Sequence, residues 1–187
     1  MIKNLFIFGV RLMSFHRKSL EAKQKTNDTQ LYKNITIYGS YYPLRERKRL
    51  YKLKKCIRKR SFKNTNLARD YHPSHFPVKL PSNINLRNLF RSRYCLKTSD
   101  LNILIFTFEG EKTGVGYELE FAIRKRIDFL LFRESKIEGG REILAGSSLI
   151  DGLLLEISTS HIDFPTGDDE SLCDAVYHRI IDFFIQD

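Results

Sequence analysis

Three short apolar runs constrain the fold of this chain more than any other feature. They read LNILIFTF (residues 101–108), IDFLLF (residues 127–132) and GLLLEIS (residues 152–158). Each run is far shorter than the roughly 20 residues that span a bilayer, and each is apolar at nearly every position, as parallel strands buried on both faces are. The sequence therefore predicts a central parallel sheet and no membrane-spanning segment.

The first half of the chain supplies further strands and helices. KNITIYGSYY predicts a strand that ends at Gly-Ser, and LRERKRLYKLKKCIRKR (residues 44–60) predicts a helix with an apolar stripe. The stripe consists of Leu50, Leu53 and Ile57. A strand is expected near residues 62–68. A second helix is expected to start at Ser82 or Asn83, with an apolar face formed by Leu86, Leu89, Phe90 and Leu96.

The second half continues the alternation. SKIEGGREILAGSSL predicts a short helix, and DDESLCDAVYHRIIDFFIQ predicts an amphipathic helix that starts at Asp168 or Asp169. The core face of this last helix is predicted to consist of Leu172, Val176, Ile180, Phe183 and Phe184.

The repeated strand–helix order predicts an α/β fold. We expect a flavodoxin-like (Rossmann-like) three-layer sandwich with a parallel sheet of about five strands and right-handed crossovers. Residues 34–187 are predicted to form this domain. Residues 1–33 are polar in their second half and lack a firm apolar period, so they are expected to form a flexible N-terminal appendage.

Charge divides the chain into two opposite parts. Residues 1–97 contain 24 Lys and Arg but 4 Asp and Glu. Residues 98–187 contain 8 Lys and Arg but 18 Asp and Glu, and the net charge of the whole chain is +10. Ten of the sixteen residues from 45 to 60 are basic. This helix could attract a nucleotide, a nucleic acid or an anionic surface, and a solvated helix face is the alternative.

The cysteine and histidine patterns indicate neither a metal site nor a disulfide framework. Cys56, Cys95 and Cys173 are far apart, odd in number and without a CxxC pair, so a reducing, cytoplasmic location is expected. His72, His75 and His161 show no ligand spacing. No cofactor is expected.

Candidate site residues follow from the position of loops in parallel sheets, because ligands lie beyond the carboxyl ends of the strands. The loop residues at these ends are Gly39, Ser40, Tyr41, Arg45, Asp70, Glu111, Gly114, Gly116 and Glu118. The alternatives are structural. Glu118 could be a helix-start acid, Asp70 an Asx-turn residue and the glycines simple turn residues, whereas Asp100 is expected to be the structural start of its strand.

Three motifs in this order resemble the nucleoside 2-deoxyribosyltransferase superfamily. They are ITIYGSYYPLR, TSDLNILIF and GVGYELEFAI. TIR domains are similar in the strand–loop–helix start and in an E-L-x-x-A on the matching helix. The motifs cover residues 35–132, and the order of elements extends the resemblance over residues 35–187.

The resemblance implies cleavage or transfer at the N-glycosidic bond of a nucleoside, a nucleotide or an NAD-like dinucleotide. Glu118 occupies the position of the family's nucleophile, and its place in the first helical turn is expected to keep its pKa low. Ser40, Arg45 and the amides near Gly39 and Gly116 would hold sugar and phosphate. Asp70 or Glu111 would orient the sugar hydroxyls or the base. A homodimer is also implied, because transferases of this type complete their sites across a dimer interface.

The sequence departs from the family pattern at two positions. Lys112 stands where the transferases have an aspartate, and Glu120 replaces the glycine of E-L-G. The alternative function is therefore a catalytically inactive nucleotide-sensing or nucleic-acid-associated adaptor, with residues 45–60 as the contact surface. Glu120 is expected to pair with Arg124 on a solvated helix face.

Overall fold

The computed structural model describes residues 33–41, 43–71, 76, 79, 81–109, 115–146, 150–153, 161–165 and 167–185. In chain order the helices and strands are β1 Ile35–Tyr38, α1 Leu44–Arg60, β2 Thr65–Leu67, α2 Ile84–Thr98, β3 Leu101–Phe106, α3 Val115–Lys125, β4 Phe129–Glu138, β5 Arg141–Leu144, β6 His161–Pro165 and α4 Asp169–Ile185. A 3₁₀ turn, Ala68–Asp70, directly follows β2.

The sheet has six strands and is mixed. Five strands run parallel in the order β2-β1-β3-β4-β6, and β5 is antiparallel to β4. Ser135 of β4 pairs with Leu144 on one side and with Pro165 on the other, so β5 and β6 lie on opposite edges of β4. The predicted α/β class is confirmed, but the prediction of a purely parallel sheet is wrong at β5.

The antiparallel pair is a hairpin where a short helix was expected. The sequence SKIEGGREIL turns at Gly139 and Gly140, whose φ values are +58° and +76°. Two consecutive positive φ values are the requirement of the two-residue turn that joins hairpin strands, and Gly-Gly meets it at little steric cost. The helix expectation was therefore wrong, and the Gly-Gly pair was the signal that it missed.

The third apolar run also differs from the expectation. Residues 150–153 are helical, so the start of the strand predicted over residues 152–158 is wrong, and residues 154–160 lie outside the described part of the chain. The fifth parallel strand is β6. A short apolar run cannot be assigned to a strand or to a buried helix turn by its periodicity alone, which explains the error.

Helices cover both faces of the sheet. The predicted stripe of α1 is confirmed, because Leu50, Leu53 and Ile57 are buried against one face together with α4. On α4, Leu172, Val176 and Ile180 are buried, and Phe183 and Phe184 pack partly buried beside them. Helices α2 and α3 cover the other face. No helix in the described ranges is long and apolar enough to cross a bilayer.

Two helix starts and one strand start carry the predicted polar contacts. Asn83 caps α2, since its Oδ1 accepts hydrogen bonds from the backbone N–H groups of Asn85 and Leu86 at 2.9 and 3.2 Å. Asp168 caps α4 by accepting from the backbone N–H of Ser171 at 2.8 Å. Asp100 accepts from the backbone N–H of Asn34 at 2.7 Å, which confirms its structural place at the start of β3.

The expected apolar face of α2 is wrong in part. Leu96 is buried, but Leu86 and Phe90 are each about half exposed, at 49% and 50%. The side of α2 that faces the sheet is instead buried at Cys95 and Leu96 and becomes polar toward the helix start. Helix α2 is thus oriented differently from the expectation. Its apolar residues Leu86 and Phe90 are partly exposed, and its polar residues line the site described below.

Helices α1 and α4 are joined by a disulfide between Cys56 and Cys173, whose Cα atoms are 6.5 Å apart. The expectation that the cysteines form no disulfide was therefore wrong for Cys56 and Cys173, whereas Cys95 is free. The two residues are 117 positions apart in sequence and become neighbours only because both helices pack on the same face of the sheet. The cysteine pattern consequently gives no support to the expectation of a reducing compartment.

Breaking this bridge is expected to destabilise the protein by about 2–4 kcal/mol, because a bridge that closes a long loop restricts the unfolded chain strongly. The measurement is the melting temperature of the parent, Cys56→Ser and Cys95→Ser with and without reductant. The parent and Cys95→Ser should lose stability on reduction, whereas Cys56→Ser should be insensitive to it. Equal melting temperatures of the oxidised and reduced parent would contradict the bridge.

Candidate functional site

A cavity of about 490 Å³ lies beyond the carboxyl ends of β1 and β2, bounded by α2 and by the start of α3. Its volume falls in the range of small-molecule sites. It adjoins the place where the strand order reverses, between β1 and β3, which is where α/β sheets bind ligands. Its wall is formed by Tyr38, Gly39, Tyr41, Ala68, Arg69, Ile84, Arg87, Asn88, Arg91, Ser92, Val115 and Glu118.

Glu118 is the carboxylate in the wall of this cavity. It is the fourth residue of α3, and its side chain reaches across to α2, where Oε1 accepts a hydrogen bond from the Oγ of Ser92. Its Oε2 is buried and has no hydrogen-bond partner within the described ranges. A pure helix-start acid needs neither feature, so the geometry favours a site role for this residue.

Burial raises the pKa of Glu118 above its ordinary value of 4.5, and the hydrogen bond from Ser92 opposes this rise. The expectation that the helix start would keep this pKa low was therefore wrong. The partial charge at a helix start stabilises an exposed carboxylate modestly, whereas desolvation in a cavity wall acts more strongly against the charged form. The cavity wall thus holds a carboxylate that is costly to ionise.

Burial raises the pKa of two further titratable groups, Tyr38 in the cavity wall and Cys95 outside the described wall. The hydroxyl of Tyr38 is buried without a hydrogen-bond partner in the described structure, and burial raises its pKa well above 10. Burial also raises the pKa of the free thiol of Cys95 to about 12. A thiol with this pKa stays protonated at neutral pH, so Cys95 is an inert core residue.

Tyr41 and Arg69 form one side of the cavity wall. The hydroxyl of Tyr41 accepts a hydrogen bond from the backbone N–H of Arg69 at 3.3 Å, and the guanidinium of Arg69 lies over the ring, 5.4 Å from its centroid. Burial raises the pKa of Tyr41 above its ordinary value. Both contacts that hold this ring come from Arg69, in the 3₁₀ turn after β2.

Gly39 permits the close approach of α1 to the end of β1. A Cβ added to Gly39 would lie 2.6 Å from Cδ2 of Leu50, and Leu50 is only 1% exposed. The glycine is thus required by packing as well as by its place in the cavity wall.

Gly39→Ala is expected to cost about 1–3 kcal/mol, because the buried leucine cannot move aside without strain. Chemical denaturation of this variant beside Gly116→Ala measures the effect. Gly116 has nothing within 4 Å of an added Cβ, so the control should not be destabilised by overlap. Equal stability of parent and Gly39→Ala would mean that Leu50 can repack.

The structure brings three predicted site residues to the cavity, namely Gly39, Tyr41 and Glu118. The described wall does not include Ser40, which is buried, or Gly116, which lies on α3. Glu111 and Gly114 lie outside the described residues, as do Lys112, His72, His75 and the side chain of His161.

Arg45 and Asp70 are held by other partners. Arg45 is 64% exposed and pairs with Glu109 at 3.3 Å. Asp70 turns toward α1, where it pairs with the Nζ of Lys54 at 2.5 Å and accepts from the hydroxyl of Tyr51 at 3.3 Å. Neither side chain contributes to the described wall of the cavity, so the structure gives no support to their predicted contacts with sugar and phosphate.

Sequence reasoning missed the polar stripe on α2. Arg87, Asn88, Arg91 and Ser92 recur at a spacing of three and four residues, which places them on one side of the helix. They line the cavity, whereas Leu86 and Phe90, which were chosen for the core face, are about half exposed. The signal was present in the sequence. Arg91 and Arg87 lie four and eight residues before the buried Cys95, and Ser92 and Asn88 lie four and eight residues before the buried Leu96, so all of them share one side of the helix.

The basic helix α1 is only partly neutralised. Arg45, Arg49, Lys52, Lys54 and Arg60 pair with carboxylates. Among the exposed side chains of α1 without a carboxylate partner in the described residues, Arg58 donates to Thr65 and Asn66, and the other four are Arg47, Lys48, Lys55 and Lys59. They form a positive face on the far side of α1 from the sheet. The predicted pair of Glu120 and Arg124 is confirmed at 2.7 Å on the solvated side of α3.

Comparisons with known proteins add a likeness of fold. No family model and no curated protein matches the chain. It is similar to the crystal structure of a conserved protein from Enterococcus faecalis V583, with a TM-score of 0.50 and 15% identity over 79% of this chain and 98% of that one. The likeness is one of fold alone. Within the described ranges, no group of three His, Cys, Asp or Glu side chains could hold a metal ion.

Proposed function

We propose that this protein cleaves or transfers at the N-glycosidic bond of a nucleoside, a nucleotide or an NAD-like dinucleotide. The observation that carries the proposal is the carboxylate of Glu118. It lies in the wall of a ligand-sized cavity, with one oxygen held by Ser92 and the other buried without a hydrogen-bond partner in the described part of the chain. The second oxygen is the group available to a sugar.

The strand order supports the superfamily suggested by the motifs. The parallel strands follow the order of flavodoxin-like domains when β5 is set aside as a hairpin extension of β4. The cavity lies where such domains bind ligands. We therefore propose that residues 34–187 form a flavodoxin-like domain related to the nucleoside 2-deoxyribosyltransferases and TIR domains.

The chemistry that we propose follows from where charge develops. When the bond between C1′ and the base nitrogen breaks, its electron pair leaves with the base and C1′ becomes cationic. A purine or pyrimidine takes up a proton from solvent as it leaves, whereas the nicotinamide of a dinucleotide leaves as the neutral base without one. The ionised Glu118 bonds to C1′ through Oε2 or stabilises the cation. Water or a second base then attacks C1′, any bond to Oε2 breaks to regenerate the carboxylate, and the attacking group releases its proton to solvent. A poorly solvated carboxylate interacts strongly with this cation, so its desolvation cost is offset as the transition state forms.

The test of this proposal is chromatographic detection of released base. The protein is incubated at high concentration with NAD, with nucleoside 5′-monophosphates and with deoxynucleosides. Release of nicotinamide or of a nucleobase from at least one of them is expected. Failure of every compound to release base during long incubation would contradict the enzymatic proposal.

A second function is favoured by the positive face of α1. The same cavity could bind a nucleotide without cutting it, while Arg47, Lys48, Lys55 and Lys59 contact a nucleic acid. Thermal-shift measurements with nucleotides and with duplex DNA, each in low and moderate salt, separate the two functions. A cavity ligand should stabilise at both salt concentrations, whereas an electrostatic partner should lose its effect as salt rises.

The expected homodimer is also a proposal. Ile84, Leu86 and Phe90 are exposed on α2 beside the cavity, which fits an apolar contact between two copies. Analytical ultracentrifugation of the purified protein tests this proposal. A dimer is expected, and a monomer at micromolar concentration would contradict it.

A further inference from the structure

We propose that the ligand of this cavity carries a phosphate group, so that the substrate class is a nucleoside 5′-phosphate and not a free nucleoside. The inference rests on the proposed function, which it makes specific. Its basis is the balance of charge in the cavity wall, where three arginines, Arg69, Arg87 and Arg91, face one carboxylate.

None of the three arginines forms an ion pair with a carboxylate among the residues that the structure describes. Arg87 donates to two backbone carbonyl oxygens, those of Pro81 at 3.1 Å and Ser82 at 3.0 Å. Arg91 makes a long contact of 3.5 Å to the carbonyl oxygen of Arg69, and its Nε is buried without a partner. Carbonyl contacts fix the orientation of a guanidinium but leave its charge uncompensated.

This arrangement is unlike that of the two buried arginines in the described part of the chain, Arg49 and Arg133, which both pair with carboxylates. Arg49 is 4% exposed and pairs with three carboxylates, those of Glu46, Glu134 and Asp169. Arg87 and Arg91 are half-buried, whereas Arg69 is exposed. A half-buried cationic group without an anionic partner is costly, and the cost is removed when a bound anion supplies the missing charge. The cavity therefore contains donors that an anionic ligand would satisfy.

The spacing along α2 separates the sugar from the phosphate. Ser92, which holds Glu118, and Asn88 are one helical turn apart, as are Arg91 and Arg87, and a turn advances about 5.4 Å. Arg91 directly precedes Ser92, and Arg87 lies one turn further toward the helix start. A ribose with C1′ at Glu118 and its 5′ substituent directed along α2 toward the helix start would bring its phosphate to Arg91 and Arg87. Guanidinium groups bind phosphate oxygens in a two-point geometry, which suits them to this position.

The experiment measures binding by calorimetry in the Glu118→Gln background, so that turnover does not consume the ligand. The probes are deoxyadenosine, deoxyadenosine 5′-monophosphate, NAD and inorganic phosphate. The monophosphate is expected to bind about 10- to 100-fold more tightly than the nucleoside, which is the range of one or two charge-assisted hydrogen bonds. Tighter binding of NAD than of the monophosphate would assign the site to a dinucleotide phosphate.

Arginine variants provide the matched controls. Arg87→Gln and Arg91→Gln should each weaken the binding of the monophosphate by about tenfold or more and leave the binding of the nucleoside unchanged. Arg93→Gln should change neither, because Arg93 stacks on Phe121 outside the cavity wall. Circular dichroism checks that each variant is folded, and two separate arginines keep the test informative if one variant unfolds.

Failure of this inference is distinct from failure of the proposed function. Equal binding of nucleoside and monophosphate, no binding of either, or equal weakening of both by Arg87→Gln, would overturn the phosphate site. If the parent protein then releases base from free nucleosides, the proposed function stands without it. Conversely, arginine-dependent binding of the monophosphate without any base release would support the phosphate site and overturn the enzyme.

Discussion

Arg49→Met is expected to destabilise the protein by about 3–5 kcal/mol, the largest effect on stability that the structure predicts, because it removes one partner from a buried ion cluster. Arg49 lies on α1 and donates to Glu46 at 3.2 Å, to Glu134 at 3.1 Å and to Asp169 at 2.8 Å. Glu46 and Glu134 are each 3% exposed at the side chain. Without Arg49 both carboxylates would remain buried without their common cation.

The measurement is chemical denaturation at several pH values, with Lys52→Met as the control. Lys52 pairs with the same Asp169 at 3.0 Å, but its side chain is 72% exposed, so its loss should cost about 0–1 kcal/mol. Equal effects of the two variants would contradict the assigned role of burial.

The loss of unfolding free energy caused by Arg49→Met should become smaller as the pH falls. Burial already raises the pKa of Glu46 above 4.5 in the parent, while the charge of Arg49 lowers it. Removing that charge raises the native pKa further, so the folded variant binds a proton at pH values where the unfolded chain has released it. Its stability therefore falls as the pH rises from about 4.5 through the raised native pKa. A deficit independent of pH would contradict this linkage.

Glu118→Gln is expected to make the protein more stable while it removes the glycosyl cleavage that we propose, and this is the second large effect. The glutamine has the shape of the glutamate and can still accept the hydrogen bond from Ser92, but it does not need to be ionised in the cavity wall. We expect a gain of about 0.5–2 kcal/mol, since functional groups are commonly held at a cost in stability. For a chain of this size, each kcal/mol corresponds to about 2–4 °C in melting temperature.

The gain has a defined dependence on pH. Because the native pKa of Glu118 is raised above the unfolded value, the native carboxyl keeps its proton while the unfolded chain loses it. The cost of ionising Glu118 is therefore absent below about pH 4.5 and develops as the pH rises through the raised pKa. The melting temperatures of parent and variant should converge in acid and separate toward neutral pH. Glu120→Gln, on the solvated side of the same helix, should not show this separation.

The sequence predicted the elements whose apolar period is strong. Helix α1 has the expected bounds, 44–60, and the buried stripe of α4 was predicted residue by residue, because one face of each helix packs on the sheet. The same reasoning failed on α2. Its inner face lines a cavity and is polar there, so the apolar residues Leu86 and Phe90 were assigned to the wrong side.

Long-range features could not be predicted for a physical reason. The bond from Ser92 to Glu118, the pairing of Asp70 with Lys54 and the bridge from Cys56 to Cys173 depend on how elements pack, which no local pattern encodes. The raised pKa of Glu118 belongs to the same group, because desolvation is a property of the assembled cavity. The residue itself could be chosen from its motif, whereas its environment could not.

The measurement that tests the central claim most directly is the ratio of base-release rates between parent, Glu118→Gln and Glu120→Gln, prepared and assayed side by side on the same phosphorylated nucleoside. The account predicts that Glu118→Gln loses activity by about 10³-fold or more, as the removal of a reacting group does, while Glu120→Gln keeps the parental rate. Equal rates for the parent and Glu118→Gln would show that Glu118 takes no part in the chemistry.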